Sequence, residues 1–220
     1  MRVVTNQPKE ISMKVLVIGA GNMGSGFVKQ LTAAGHQVSV TAREPSRAES
    51  VAKQFGATAV PPANAANGVD AIVLAAPYEQ AALALRSVGD VDGKVVIDIT
   101  NPLTPDYMGL TIGHSTSAAE EIAKAVPGVE VVKGFNTLFA QVLAAGSDLG
   151  GEKLTVFVAS DSERAKQTAR TLAESMGFVV SDAGGLKNAR YLEPLAALNI
   201  YFGYGAGRGT AIAPTWISSK

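Results

Sequence analysis

The stretch Lys14-Val-Leu-Val-Ile-Gly-Ala-Gly-Asn-Met-Gly-Ser-Gly26 limits what this chain can fold into more than any other. Val15 to Ile18 are an unbroken apolar run, as in a buried strand. Gly19, Gly21 and Gly24 follow on the G-x-G-x-x-G spacing, and Phe27, Val28, Leu31 and Ala34 then recur at helical spacing. Each glycine has its own physical reason. Gly19 permits the tight turn out of the strand, Gly21 keeps no side chain between backbone and a pyrophosphate, and Gly24 lets helix and strand approach closely. The amides around Asn22, Met23 and Gly24 then meet a ligand with free N–H groups and the positive end of the helix dipole. With 23 glycines in the chain the spacing alone is weak. Its setting, between a strand and a helix, is what a dinucleotide turn requires.

The rest of the chain alternates in the same way. Further strands are expected at 37–41, 57–60, 71–75, 94–99, 129–133, 154–159 and 178–181, with helical segments between them. Ser117 reads as an N-cap with Glu120 as its capping-box acid. The last helix runs from Asn188 to about Phe202 with Pro194 inside, and Gly203, Gly205, Gly207 and Gly209 are expected to be too flexible for helix. This pattern predicts an α/β fold, a doubly wound (Rossmann) parallel sheet with a small C-terminal helical and strand lobe. Residues 1–12 are expected to be a mobile extension, 13–135 the dinucleotide-binding domain, and 136–220 a lobe forming an acceptor pocket and dimer contacts.

Composition removes several function classes. Hydrophobic content of 47% over 220 residues is enough for a sizeable core. Zero net charge without a basic run argues against a nucleic-acid partner. The absence of cysteine excludes disulfides, thiolate catalysis and zinc–sulfur sites, and His36 and His114 do not suggest a metal cluster. The longest apolar run, 69–77, is interrupted by Asp70, and 1–12 lack the apolar centre of a signal peptide. A cytoplasmic protein with no membrane partner is therefore expected.

The end of the second strand selects the cofactor. An NAD enzyme usually places an acid there for the ribose hydroxyls. This chain reads Thr41-Ala42-Arg43-Glu44-Pro45-Ser46-Arg47, with no acid ending the strand and two arginines one helical turn apart. Their guanidinium groups suit a 2′-phosphate, so NADP is favoured over NAD. Two solvated arginines at a helix start are the plainer alternative. Ligands in such sheets lie beyond the carboxyl ends of the strands, which brings in Ala76 and Pro77, then Thr100, Asn101 and Pro102. Asn101 and Thr100 can reach a nicotinamide ribose or carboxamide, although Asn-Pro is also a turn signal.

No nucleophile stands beside a base, and no catalytic residue is assigned. Asp98, Asn101, Asn136 and Asp182 at strand ends do not read as general acids. Hydride exchange between NADP and a second redox cofactor or small-molecule acceptor needs less: two flat rings face to face in a dry cleft. The loop 103–115 is long enough to act as a lid, and His114 within it is left out of the site. Leu195, Leu198 and Phe202 form one stripe of the last helix, with Leu192 and Tyr201 nearby. Small Ala196 and Ala197 beside the stripe would admit a second copy, a homodimer face.

Four places carry a family likeness: Gly19-Ala-Gly-Asn-Met-Gly-Ser-Gly26, Arg43 with Arg47, Gly134-Phe-Asn-Thr137, and Asp182-Ala-Gly-Gly-Leu-Lys-Asn-Ala-Arg190 followed by Glu193. Together, over 13–209, the chain resembles the coenzyme F420-dependent NADP oxidoreductases. The resemblance implies NADP at the first glycine turn, a deazaflavin in the cleft under the Asn101 and Asn136 loops, and a homodimer paired through C-terminal helices. The chain departs from that pattern at Asn136, where some members carry His, at Gly185, where some carry Pro, and at Ala42, often a small hydroxyl residue. Its Phe-Asn-Thr run also looks like the cytosolic domain of the STEAP metalloreductases, which pass hydride from NADPH to a flavin. F420 or a flavin is thus the implied hydride partner. The other readings are a small imine or 3-hydroxyacid reductase, for which about 80 residues after Asn136 is short, and a non-enzymatic NADP-sensing module.

Overall fold

The computed structural model describes residues 12–216. The expected extension at 1–12 lies outside them except for Ser12, whose hydroxyl donates to the Gly35 carbonyl at 3.0 Å. Among the described residues six strands form one parallel sheet: β1 (Lys14–Ile18), β2 (Gln37–Thr41), β3 (Thr58–Ala59), β4 (Ala71–Leu74), β5 (Val95–Asp98) and β6 (Glu130–Lys133). Their order is β3-β2-β1-β4-β5-β6, so the winding reverses between β1 and β4, as a doubly wound sheet requires. Helices cover both faces, which is why β4 and β5 are buried throughout. On one side α1 (Asn22–Ala33), α2 (Pro45–Phe55), α5 (Ala140–Ala145) and α6 (Glu163–Ser175) close a core around Val15, Val17, Phe27 and Phe135. On the other, α3 (Tyr78–Ser87) and α4 (Ala118–Ala125) pack on Leu16, Ile72 and Val96.

After α5 the chain adds an exposed hairpin, β7 (Asp148–Leu149) and β8 (Glu152–Lys153), which nothing in the sequence announced. Each arm is two residues long, too short to alternate visibly, and Gly150 and Gly151 turn it with φ of +66° and +89°. Then β9 (Thr155–Val158) pairs in parallel with β10 (Val179–Asp182), and one antiparallel bridge, Lys133–Ala159, ties β9 to the end of β6. Val156, Val158 and Leu172 of this segment join the core that holds Val15.

The helix ends follow local chemistry. Gly56 caps α2 in the left-handed region, and Ser117 accepts the Glu120 N–H to start α4. Glu120 departs from the capping-box expectation: its carboxylate takes the Ser117 hydroxyl and both arms of the Arg190 guanidinium. The last helix, α7 (Ala189–Ile200), carries Pro194 and passes into a π-helical turn, Tyr201–Gly205. The expectation that Gly203 and Gly205 lie outside helix is therefore corrected. Packing overrides propensity here, because a Cβ on Gly203 would stand 2.6 Å from Phe139 Cζ.

His36, 6% exposed, joins the start of β1 to α6. Its Nδ1 accepts the Met13 N–H at 3.1 Å, and its Nε2 lies 2.8 Å from Ser175 Oγ, whose hydroxyl donates to Leu172 O. That pattern fits a neutral ring with its proton on Nε2, and burial lowers its pKa from the ordinary 6.5. A depressed folded value means the unfolded chain binds the proton first, so this stability is present above 6.5 and lost as pH falls through the folded value. The urea midpoint should drop between about pH 7.5 and 5.5, and His36→Gln should flatten that slope. Equal slopes in the two proteins would remove the assignment.

Candidate cofactor site

The carboxyl edge of the sheet collects the candidate cofactor-binding residues. Gly19, Gly21, Asn22, Met23 and Gly24 form the β1–α1 turn. Thr41, Ala42, Arg43 and Arg47 follow or end β2, Ala76 and Pro77 follow β4, Asn101 and Pro102 follow β5, and Asn136 follows β6.

The three motif glycines differ in what surrounds them. Gly19 has φ +115°, and a Cβ there would lie 2.3 Å from the Ala75 carbonyl oxygen. A Cβ on Gly24 would lie 1.9 Å from Gly19 O. Both glycines are required by the fold. At Gly21 a Cβ would meet no described atom within 4 Å, so this one faces open space. It is also the N-cap of α1, with no side chain capping the helix and no acid in its first turn. The first amides of α1 are free to hold an anion.

At the end of β2, Thr41 is buried and its hydroxyl has no partner among the described residues. Arg43 Nη1 donates to Gln80 Oε1 on α3 at 3.3 Å, which sets its guanidinium across the crevice between β1 and β4. Arg47 instead pairs with Glu44 at 2.9 Å, both well exposed. The two arginines are thus not equivalent. Open cradle, free amides, guanidinium and unpartnered hydroxyl together fit a phosphorylated dinucleotide.

A cavity of about 190 Å³ opens between the loops after β5 and β6 and helix α7, lined among others by Met23, Ile99, Asn101, Asn136, Ala196 and Tyr204. Asn136 Nδ2 donates to Asn101 Oδ1 (3.0 Å) and to Leu192 O (2.9 Å), and Asn101 Nδ2 donates back to Asn136 O (2.9 Å). With both amide hydrogens used, Asn136 Oδ1 is left buried with no donor among the described residues. Phe135 before it sits at φ +60°, held by edge-to-face contacts with Phe27 (4.9 Å) and Phe178 (6.0 Å). Such a backbone costs about 1–3 kcal/mol and persists only where packing enforces it. From the 103–115 loop Leu103 and Tyr107 reach the cavity, whereas His114 is exposed and does not line it. Asp182 bonds Lys166 (3.0 Å) on the outer surface.

Three residues before Asn136, Lys133 is wholly buried. Its ammonium reaches Asp98 Oδ2 (2.7 Å), Glu193 Oε1 (2.8 Å) and Thr100 O (2.7 Å). Desolvation, the largest single influence, works to lower its pKa, but attraction to Asp98 and Glu193 outweighs it and holds the group above the ordinary lysine value. Glu193 also accepts the Ala118 and Ala119 N–H groups at the start of α4, at 2.9 and 3.2 Å. Asp98 is therefore held as an ion-pair partner of Lys133. Sequence reading missed this cluster; a lysine ending a short strand directly after the apolar pair Val131 and Val132 was the available signal. The wider hollow near Asp70, Lys94 and Arg164 lies at the amino edge of the sheet, away from these groups.

Residues 14–102 match the profile of a family described as NADP oxidoreductase, coenzyme F420-dependent. The chain is 31% identical over 213 residues to the F420-dependent NADP reductase of Methanothermobacter thermautotrophicus, covering 87% of this chain and 90% of that protein. It is 29% identical over 189 residues to the rat metalloreductase STEAP3, covering 86% of this chain but only 37% of that protein's length. Among solved structures, one from Arthrobacter sp. FB24, provisionally assigned as an F420-dependent NADP reductase, aligns with a TM-score of 0.80 at 28% identity, over 91% of this chain and 96% of its own. A Pseudomonas imine reductase shares the fold at 23% identity, with a TM-score of 0.64 over 89% of this chain and 64% of that one.

Proposed function

The chain belongs to the F420-dependent NADP oxidoreductase family and is an NADP-dependent oxidoreductase, and we propose that it passes a hydride between NADP(H) and the flat ring of a deazaflavin such as F420. One observation carries this reading. Met23 belongs both to the first turn of α1 and to the wall of the cavity. A dinucleotide held by its pyrophosphate at Gly21, with its 2′-phosphate toward Arg43, would have its nicotinamide end at that cavity.

Bound NADP(H) supplies the hydride chemistry itself, so the protein's part is to bind, orient and keep out water. The free amides of α1 would take the diphosphate and Arg43 the 2′-phosphate. Asn101 and Asn136 fix one wall, and Ile99, Leu103, Ala196 and Ile200 make the cleft apolar. The proton that accompanies the hydride would exchange with solvent, so no side chain has to donate it, which agrees with Asp98 being locked to Lys133. A flavin, which the Phe135-Asn136-Thr137 resemblance implies, is the second candidate acceptor. Following NADPH absorbance with F420, FMN, FAD and a cyclic imine tests all readings. Oxidation by F420 is expected. Oxidation by FMN or FAD alone moves the acceptor to a flavin, by the imine alone overturns the reading, and tight binding without any oxidation makes the protein a sensor.

Arg43→Ala should weaken NADPH binding by about 1–3 kcal/mol, the range for a charge-assisted contact. Arg47→Ala should cost less, since Arg47 must first leave Glu44. NADH affinity should scarcely move in either variant. An equal loss for NADH, read by isothermal titration, would make these arginines structural.

The same reading includes a homodimer. Tyr191, Leu198, Tyr201 and Tyr204 stand 73%, 49%, 49% and 58% exposed along α7 and the π-turn. Leu192 and Ala196 turn into their own protomer, so Ala196 is not free for the close helix approach expected of it. Sedimentation equilibrium should give a dimer at micromolar concentration and a monomer for Leu198→Arg. A monomeric wild type ends the idea.

A further inference from the structure

Two cross-links join the same three segments side by side. In one, Lys133 at the end of β6 holds Thr100 O and Glu193 on α7 (2.7 and 2.8 Å). In the other, Asn136 holds Asn101 Oδ1 and Leu192 O (3.0 and 2.9 Å). The partners are chain neighbours, Thr100 beside Asn101 and Leu192 beside Glu193. Helix α7 is thereby pinned to two strand ends at adjacent points, and its next turn gives Ala196, Asn199 and Ile200 to the cavity. Glu193 extends the linkage to α4 through the Ala118 and Ala119 amides. The 103–115 loop, which sends Leu103 and Tyr107 to the cavity, is thus anchored at its start by Lys133 and at its end by Glu193.

We infer that Lys133 and Glu193 are positioning residues: their buried ion pair sets the α7 and loop walls at the spacing in which an acceptor ring meets the nicotinamide. Stability alone does not account for the pair. Three buried charges are expensive to desolvate, and apolar groups of the same volume often serve a core as well or better. Directed bonds from one ammonium give a fixed setting, whereas an apolar helix contact tolerates sliding. The role matters because a misplacement of about 1 Å can cost on the order of a hundredfold in rate.

The inference rests on the proposed hydride transfer, and its test separates the two. In Asp98→Asn with Lys133→Met, one ammonium and one carboxylate are lost together. Net charge is kept, and Glu193 stays on the α4 amides. This double variant should unfold cooperatively and bind NADPH within about threefold of wild type. Its kcat with F420 or FMN should fall about tenfold or more, and amide hydrogen exchange over 192–205 should quicken in the cofactor-free protein. Glu193→Gln should act in the same direction and carries the same readouts if the double variant does not fold. A folded variant with unchanged kcat and unchanged exchange overturns the inference, as does a loss that lies wholly in NADPH affinity. A wild type that oxidises NADPH with neither F420 nor FMN refutes the functional reading alone, and the exchange measurement then decides the positioning role.

Discussion

Gly21→Val should abolish NADPH binding and leave a cooperative thermal transition. The backbone at Gly21 is extended, with φ −80° and ψ −169°, which valine adopts without strain, and its Cβ would meet no described atom within 4 Å. The fold therefore has no objection to the side chain. The pyrophosphate does, because the added methyl groups fill the space from which the α1 amides would bind it. Several charge-assisted hydrogen bonds, each about 1.5–3 kcal/mol, are lost together. Gly24→Ala should behave in the opposite way, since its Cβ would stand 1.9 Å from Gly19 O. It should lower the melting temperature even without ligand. Calorimetry and NADPH titration of the pair separate the glycine that serves the ligand from the one that serves the fold. Normal NADPH affinity in Gly21→Val would end the phosphate-cradle reading.

That contrast also marks how far the sequence was legible. The turn could be read because its constraints are local: a positive φ at Gly19 and a contact between residues 19 and 24 leave their trace within a dozen positions. The sheet was legible because strands covered on both faces tolerate few polar side chains, so β1, β4 and β5 stand out as apolar runs. Features that depend on distant partners were not. Lys133 and Asp98 are 35 residues apart, and Glu193 and Ala118 are 75 apart, so each looked like an isolated charge. Arg43 and Arg47 looked alike in the sequence; only the fold sets Gln80 beside one and leaves Glu44 with the other. The π-turn was hidden for the same reason, since Phe139, against which Gly203 packs, lies far away in the chain.

Lys133→Met alone should be the most destabilising single substitution of a charged residue in this protein, by about 3–5 kcal/mol. The cost is not the lost attraction by itself. Asp98 and Glu193 would remain buried, keeping Thr100 N–H and the α4 amides as partners but no cation. At about 2–4 °C per kcal/mol for a chain of this size, the melting temperature should fall on the order of 10 °C. The pH dependence identifies the cause. In the wild type the lysine value is raised, so its contribution is complete at neutral pH and lost only as pH climbs through that raised value. In the variant the carboxylates carry the raised values instead. Their folded state then binds protons more readily than the unfolded chain, and stability should fall as pH rises from about 5 to 8, opposite in sign to the His36 effect. Adding Asp98→Asn removes one of the two uncompensated carboxylates while its amide oxygen can still accept the Thr100 N–H. It should recover most of the loss and flatten the pH slope. A loss below about 1 kcal/mol, or a stability slope between pH 5 and 8 no different from that of the wild type, would mean that Asp98 and Glu193 do not depend on Lys133 for their burial.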